Sequence, residues 1–292
     1  MKVHNEYSAG ERSNVWTPLE VDVGAASHQG HVRENNEDCF LVIRFGRSLE
    51  NLLTNVEDEF LNKNYGSTGY GMLVADGMGG MAGGEVASRL VLTKLVELLI
   101  DTSDWVLALQ RDHDVLTVLE RMTDRFLQLD ETVRLEAASD QTLQGMGTTL
   151  TVAGALGDDL IVGHVGDSRA YLFRENNLTQ LTTDHTLAQA LIDAGVANRD
   201  DPASRSMRHV LTAAVGSLGE EVDPQVQRFK LQRGDHLLLC TDGLTETVED
   251  DTIAHVLRDA QSAQNACQAL VDLALANGGV DNVTVVVTHF LS

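Results

Sequence analysis

Cysteine and basic side chains are scarce in this chain of 292 residues, which has three cysteines and 21 basic against 44 acidic residues. Cys39, Cys240 and Cys267 are too few and too scattered for a disulfide framework, which favours a reducing compartment. The net charge of −23 argues against a surface for nucleic acid or anionic membrane, because phosphate-rich partners require cationic side chains. Partners of both kinds are therefore not expected.

Long apolar runs are also missing. No window approaches the ~18 uninterrupted apolar residues that a membrane-spanning helix needs, and residues 1–10 lack the apolar region of a secretion signal. We therefore expect a soluble cytoplasmic protein, and a monomer.

Several catalytic motifs are absent. None of the four lysines follows a glycine, which excludes a P-loop nucleotidase. A cysteine-dependent phosphatase needs arginine six positions after its cysteine, and Phe45, Glu246 and Leu273 stand there instead. Neither a His-Glu-x-x-His motif nor a Gly-x-Ser-x-Gly elbow occurs.

Carboxylates at the ends of apolar runs are the sharpest positive feature. Four strand-like segments carry them. The apolar run within 70–80 ends at Asp76, and the one within 236–243 ends at Asp242. Asp281 directly precedes the apolar run 282–288, and Glu37-Asp38 directly precedes the run 39–43. Strands deliver such residues to one edge of a sheet. Our hypothesis is that these ends converge on divalent metal ions.

Oxygen ligands without clustered histidine or cysteine select hard cations such as magnesium or manganese. Asp76, Asp242 and Asp281 suit that role, and the missing side chain of Gly77 would let its carbonyl approach an ion closely. A lone Asp-Gly is nevertheless far more often a turn. Spacing alone leaves both interpretations open.

Three further residues each allow a structural and a functional interpretation. Arg33, in a polar loop before Asp38, is either solubilising surface or a two-point phosphate ligand, and the acid cluster favours phosphate. Asp167 is either a turn residue or a metal ligand. His185 stands at a strand-to-helix junction, where capping or packing is the commoner role, so it is not placed in the site.

The order of elements indicates one α+β domain with antiparallel sheets. Residues 1–17 are expected to be a flexible tail and 18–292 the domain, with a surface insertion at 46–69 and a lid at 184–220. Amphipathic periodicity predicts helices at 85–100, 115–137, 251–259 and 263–276 and a short helix near Leu187. Besides the run that ends at Asp76, strands are predicted at 19–23, 39–45, 148–155, 160–165, 169–173, 225–231, 236–241 and 282–290. Gly-Asp-Asp at 157–159 and Gly-Asp-Ser at 166–168 are predicted to be hairpin loops.

With these residues in view, the chain resembles the metal-dependent serine/threonine protein phosphatases of type 2C in their bacterial form, from about Val21 to Phe290. The resemblance rests on these segments: 30–38 (Gly-His-Val-Arg-Glu-Asn-Asn-Glu-Asp), 74–80 (Val-Ala-Asp-Gly-Met-Gly-Gly), 147–149 (Gly-Thr-Thr), 164–171 (His-Val-Gly-Asp-Ser-Arg-Ala-Tyr), 183–185 (Thr-Asp-His), 240–243 (Cys-Thr-Asp-Gly) and 281–285 (Asp-Asn-Val-Thr-Val). Met78, where eukaryotic relatives commonly have histidine, supports the bacterial form.

The resemblance implies a four-layer α-β-β-α sandwich, with two central antiparallel sheets flanked by helices. It implies hydrolysis of phosphoserine and phosphothreonine in proteins by a metal-activated water, without a phosphoenzyme, opposing a serine/threonine kinase. Two divalent ions, manganese or magnesium, are expected, with a third, weaker ion.

Site roles follow from the same resemblance. Asp76 would bridge the two ions, the Gly77 carbonyl would hold the first, and Asp242 and Asp281 the second. Glu37 and Asp38 would act mainly through ion-bound waters, Arg33 would grip the substrate phosphate, and Asp167 with Asp242 would hold the third ion.

Two departures put substrate choice in doubt. Relatives usually have a basic residue where this chain has Ala213, and a His-Pro step where it has Arg205-Ser206. These changes motivate a rival hypothesis, a catalytically silent signalling module of the same fold. Its relatives would be expected to lack metal aspartates, whereas all three are present here.

Overall fold

The computed structural model describes residues 19–47, 67–79, 83–101, 115–198, 201, 204, 206–216 and 222–291. The predicted tail at 1–17, the middle of the predicted insertion and parts of the predicted lid, including Arg205, lie outside these residues.

Eleven strands are found in the described residues. They are β1 (Val21–His28), β2 (Asp38–Arg47), β3 (Ser67–Met78), β4 (Gly147–Thr148), β5 (Leu150–Leu156), β6 (Asp159–Val165), β7 (Arg169–Arg174), β8 (Asn177–Gln180), β9 (Gln225–Lys230), β10 (His236–Cys240) and β11 (Val283–Phe290). All pair antiparallel, in a five-stranded sheet of order β1-β11-β10-β7-β8 and a six-stranded sheet of order β2-β3-β5-β6-β9, with β4 pairing β3.

Six α-helices lie in the described part of the chain. They are α1 (Gly83–Asp101), α2 (Val115–Ser139), α3 (Leu187–Asp193), α4 (Asp242–Thr245), α5 (Asp250–Asp259) and α6 (Ala263–Ala276). Side-chain caps fix two starts: Thr186 accepts from the Gln189 N–H before α3, and Ser262 accepts from the Asn265 N–H before α6.

The two sheets pack face to face, and alternation along the strands gives each sheet two buried faces. In β10 and β11, Leu237, Leu239 and Val286 face the other sheet, whereas Leu238 and Val287 face α5 and α6. The outer face of the six-stranded sheet packs against α1 and α2. The layers are therefore helix, sheet, sheet, helix, which confirms the predicted fold class.

The predicted hairpin at 157–159 is present, because β5 and β6 pair directly on either side of Gly157. The predicted hairpin at 166–168 is wrong: β6 belongs to the six-stranded sheet and β7 to the five-stranded one. This loop crosses between the sheets at Gly166, whose φ is +111°. The partner of β7 is instead β8, reached by a turn at Glu175 and Asn176, both with positive φ.

The two ends of the predicted lid pair with each other, and its C-terminal end also pairs with the domain. Thr186 and Leu211 form an isolated bridge, and the Thr212 N–H donates to the His185 carbonyl at 2.8 Å. Val215 bridges to Thr148 of β4. The segment after α3 therefore returns to the strand ends that carry the acids.

Candidate metal centre

The predicted acids come together from both sheets. Asp38 and Asp76 are directly opposed residues in the β2–β3 ladder. Asp242 follows β10 and Asp281 precedes β11, which are neighbouring strands of the other sheet. Asp167 lies in the loop that crosses from β6 to β7. Sequence positions more than two hundred residues apart thus contribute to one cluster.

Burial and mutual repulsion shift the titration of the cluster. Burial, with the charges of Asp38 and Asp242, raises the pKa of Asp76 well above its ordinary value. Burial followed by repulsion from Asp242 does the same to the pKa of Asp167. Burial raises the pKa of Asp38 to about 7, against hydrogen bonds from Thr284 and Thr241 that lower it. The pKa of Asp242 is raised by burial and by Asp281.

These acids fit a divalent cation. Oδ1 of Asp38 and Oδ1 of Asp242 are buried and accept no hydrogen bond within the described part of the chain. A buried carboxylate oxygen without a donor is costly, and several like charges together are more so, unless cations compensate them. The donor set is oxygen only, which suits manganese or magnesium. Asp38, Asp76, Asp167, Asp242 and Asp281 are the residues that could hold such ions.

The loop bearing Glu37 is fixed by an asparagine that the sequence analysis did not single out. The Glu37 N–H donates to Asn282 Oδ1 at 2.8 Å, and Asn282 Nδ2 donates to the carbonyls of Gln29 and Asn35, each at 2.8 Å. Asn282 follows Asp281 directly, so one short segment supplies a carboxylate and positions another. The sequence signal for Asn282 was its position in the 281–285 segment that resembles the phosphatase family.

Glycines allow the backbones at the cluster to approach closely. A Cβ on Gly77 would lie 2.1 Å from the Gly84 carbonyl oxygen at the start of α1, and one on Gly243 would lie 2.0 Å from the Asn282 carbonyl oxygen. The first contact places the start of α1 beside Asp76, and the second places the start of α4 against Asn282. Gly77 thus has a packing reason besides its predicted role as a carbonyl ligand.

Two threonines and a serine hold the Asp76 backbone and the crossing loop together. The Asp76 N–H donates to Thr149 Oγ1 at 2.9 Å, and Thr148 Oγ1 donates to the Asp76 carbonyl at 2.8 Å. Thr149 Oγ1 also shares a hydrogen bond of 2.7 Å with Ser168 Oγ, next to Asp167. Positions 148 and 149 belong to the Gly-Thr-Thr motif, whose role spacing alone did not reveal.

His185 supports the loop that carries Asp167. The backbone N–H of His185 donates to the Gly166 carbonyl at 2.7 Å, and the backbone N–H of Gly166 donates to the ring Nδ1 of His185 at 3.2 Å. Asp184 beside it forms an ion pair of 2.6 Å with Arg169 on the other side of the loop. This is the packing role that the sequence analysis favoured for His185.

Arg33 lies at the mouth of the cluster, with its side chain 55% exposed. Its Nη2 donates to Asp281 Oδ2 at 2.6 Å, and this hydrogen bond, more than the nearby charges, raises the pKa of Arg33. Burial raises the pKa of Glu37, and Arg33 opposes that shift. The guanidinium therefore lies close to the carboxylates of Asp281, Asp76 and Glu37.

Glu246 and His209 were not predicted and adjoin the cluster. The Glu246 N–H donates to the Asp242 carbonyl, and burial followed by repulsion from Asp242 raises the pKa of the Glu246 carboxyl to about 8. His209 Nδ1 forms a short contact with Glu246 Oε1. Neither residue belongs to a motif in the sequence, and only the folded lid brings His209 here.

Among the departures noted in the sequence, Ala213 packs against the core beneath α1 and α2. No helix in the described ranges has both the length and the apolar content to cross a membrane.

Comparison with known proteins finds similarity over most of the chain. Residues 46–276 match the family model described as "Protein phosphatase 2C". The chain is 38% identical over 276 residues to the serine/threonine protein phosphatase PstP of Mycobacterium tuberculosis, covering 92% of this chain and 45% of the relative. It is 36% identical over 219 residues to the serine/threonine phosphatase stp of Listeria welshimeri, covering 75% of this chain and 83% of the relative. The chain thus spans less than half the length of the PstP relative.

The solved structures that resemble this chain are also serine/threonine phosphatases. The M. tuberculosis PstP structure has a TM-score of 0.73 at 33% identity, covering 93% of this chain and 99% of that one. The catalytic domain of PstP in complex with two manganese ions has a TM-score of 0.70 at 33% identity, covering 93% and 99%. The S. agalactiae serine/threonine phosphatase has a TM-score of 0.76 at 27% identity, covering 93% of this chain and 100% of that one.

Proposed function

The chain belongs to the protein phosphatase 2C family, and on that premise we propose that it hydrolyses phosphoserine and phosphothreonine in proteins and opposes a serine/threonine kinase. The observation that carries the proposal is the cluster of five buried or half-buried aspartates from both sheets, two of which have an oxygen that accepts no hydrogen bond among the described residues. The two manganese ions of the PstP catalytic domain support a two-ion site here.

The acids divide by position. Asp76, Asp242 and Asp281, with the Gly77 carbonyl, would hold the two principal ions, and Asp167 with Asp242 a third. Divalent ions there would supply a water activated at neutral pH and would neutralise charge on the transferred phosphoryl group. Glu37 and Asp38 would hold and orient waters, since Asn282 fixes the loop before them and Thr241 Oγ1 donates to Asp38 Oδ2 at 2.8 Å.

Arg33 would bind the substrate phosphate. A guanidinium has five N–H donors in a planar fork, so it can contact Asp281 and a phosphate together. Its position at the exposed mouth of the cluster supports this role. The phosphate would then lie between a fixed cation and the ions, which is the arrangement that stabilises phosphoryl transfer.

The activity is tested with a phosphothreonine peptide. We expect hydrolysis only with added manganese or magnesium, and loss of hydrolysis on chelation that is restored by readdition of metal. Calorimetric titration of the metal-free protein should show tight divalent binding. Activity that survives thorough chelation would overturn the metal-dependent mechanism, and the absence of tight binding would favour the silent signalling module instead.

Replacement of Arg33 should weaken substrate binding. We expect Arg33→Ala to lower kcat/KM by about 10- to 100-fold, mainly through KM, because charge-assisted hydrogen bonds to phosphate contribute about 1.5–3 kcal/mol. Arg33→Lys should lose less, because it keeps the charge without the fork. Steady-state kinetics over a range of peptide concentrations measures the split.

The matched control is Arg258→Ala, an exposed arginine of α5 that pairs with Asp259. Arg258→Ala should leave kcat and KM unchanged. If Arg33→Ala instead lowered metal affinity with KM unchanged, the arginine would act on Asp281 and not on substrate.

A further inference from the structure

We propose that a cavity between the outer face of the six-stranded sheet and helices α1 and α2 binds a short aliphatic carboxylate, with its chain inside the cavity and its carboxylate on Arg121. The cavity has a volume of about 60 Å³. Apart from Arg121 and Arg125, its lining residues are apolar or glycine. None of the acids of the candidate metal centre is among these lining residues, so this site is separate from the proposed active site.

Opposed glycines in the sheet leave the space. Gly71 of β3 and Gly154 of β5 are direct partners in the ladder, on the face that carries Leu73 and Val152 toward α1 and α2. A Cβ built on Gly154 would meet no atom within 4 Å. Gly154 is also the one residue of β5 that is not buried, so small molecules can reach the floor of the cavity. Glycine within a strand often marks a place that another molecule approaches closely.

The apolar core on this side of the sheet is divided in two. The larger cluster contains Leu73 and Leu95, and the smaller one contains Val118 and Ile161. Residues of both clusters line the cavity, which therefore lies between them. Protein cores are normally close-packed, and an apolar cavity offers water few hydrogen bonds. An aliphatic chain can therefore enter it without displacing well-ordered water.

The size of the cavity limits the length of the chain. An apolar cavity of ~150 Å³ takes the six carbons of benzene, so by proportion about 60 Å³ holds about two or three carbons. The remaining carbons would extend to the arginine side chains. These dimensions fit carboxylates from butyrate to hexanoate.

Arg121 supplies the cation. Arg121 and Arg125 lie one turn apart on α2 and are both half-buried. Arg125 Nη1 donates to Gln128 Oε1 at 2.9 Å, whereas Arg121 forms no hydrogen bond or ion pair with any of the described residues. A guanidinium fork matches a carboxylate through two parallel hydrogen bonds. A half-buried arginine without an acidic partner, beside an apolar cavity, thus favours a ligand that brings both a carboxylate and an aliphatic chain.

The test is ligand binding, followed without phosphopeptide, so its failure is distinguishable from failure of the proposed activity. Full-length, methyl-labelled protein is titrated with acetate, butyrate and hexanoate at constant ionic strength and followed by NMR. We expect the methyl signals of Val118 and Ile161 to shift, while those of Leu270, in the core cluster on the opposite side of the molecule, stay in place. Affinity should rise about fourfold for each methylene buried and level off once the cavity is full.

Variants separate the two parts of the site. Arg121→Gln should weaken hexanoate binding by at least about fivefold and leave binding of the uncharged analogue 1-hexanol unchanged, because only the carboxylate contacts the guanidinium. Gly154→Val should abolish binding of both ligands by filling the cavity. Gly154→Ala is a smaller change in case valine disturbs the fold, and its affinities should level off about one methylene earlier.

Arg89→Gln is the matched control. Arg89 is an exposed arginine of α1 that pairs with Glu85 at 3.3 Å, and it is not among the lining residues of the cavity. Its hexanoate affinity should equal that of the parent protein. Circular dichroism and thermal unfolding check that each variant keeps the fold.

Unshifted Val118 and Ile161 signals in the parent protein at millimolar hexanoate would overturn the proposal, whatever the variants do. So would equal affinities of the parent protein for hexanoate and 1-hexanol, which would indicate an apolar cavity without an anion site. If Gly154→Val kept hexanoate binding while Arg121→Gln lost it, the ligand would lie on the surface beside Arg121 and outside the cavity, and the proposal would again be wrong.

Discussion

Asp76→Asn is expected to lower kcat/KM by at least about a thousandfold and to weaken divalent binding to the protein. An amide carries no charge to hold two cations, and their loss removes several kcal/mol of transition-state stabilisation. The same change should raise the thermal stability of the metal-free protein, because it removes a carboxylate whose pKa is raised by burial and by Asp38 and Asp242. Phosphopeptide kinetics, calorimetry and thermal unfolding measure the three effects.

Opposite signs for activity and stability distinguish a metal ligand from a residue that merely supports the fold. Asp272→Asn, on the exposed face of α6, is the control and should change none of the three quantities. Asp76→Asn protein that lost activity together with metal-free stability would indicate a structural role for Asp76 and contradict the assignment.

The metal-free protein should contain a destabilising contribution that grows as the pH rises from about 4 to about 7. Asp38 has a pKa raised to about 7 in the folded protein, against 3.8 ordinarily, so the folded state retains a proton that the unfolded state loses. The contribution of Asp38 to stability is therefore fully present below about pH 4 and is lost as the pH passes through 7. Its size is on the order of a few kcal/mol.

Denaturant unfolding at several pH values, in chelator, measures this effect by comparison with Asp38→Asn. His164 and His236, with pKa values lowered to about 3 and about 4, act in the opposite sense, so the difference between the two proteins is the informative quantity. The variant should gain stability relative to the parent as the pH rises. Divalent ions should restore the free energy of unfolding of the parent protein near neutral pH. If the difference in that free energy between parent and variant stayed constant from pH 4 to 7, the prediction would be wrong.

The aspartate cluster explains why metal binding, folding stability and activity are expected to be linked. Five aspartates contributed by two sheets repel one another, and Asp38 and Asp242 each retain an oxygen without a donor among the described residues. Cations would convert this repulsion into attraction between the sheet edges. Metal binding should therefore stabilise the region around the strand ends more than the distant edge strand β8.

Local sequence was sufficient to place the acids within two residues of a strand end, although β3 continues past Asp76 to Met78. Apolar runs stop or start at Asp38, Asp76, Asp242 and Asp281, and the strands follow those runs because side-chain alternation is a local property. The long helices were predicted for the same reason, and α2 covers the 115–137 prediction with two further residues.

Strand partners were harder to predict, because pairing depends on residues far away in the chain. The Gly-Asp-Ser loop has the composition of a hairpin, yet it carries the chain from one sheet to the other. The β7–β8 hairpin turns at Glu175-Asn176, which lacks the glycine that usually signals positive φ. Composition of a turn therefore did not decide which strands it joins.

The sequence by itself determined which carboxylates were available, the α+β class and, through ordered motifs along nearly the whole chain, the resemblance to the phosphatase family. Only the tertiary structure decided that Asn282 fixes the Glu37 loop and that His209 reaches Glu246, 37 residues away along the chain. The physical reason is that side-chain periodicity is written in neighbouring residues, whereas contacts between separate elements depend on how two sheets and their covering helices bury their apolar faces together.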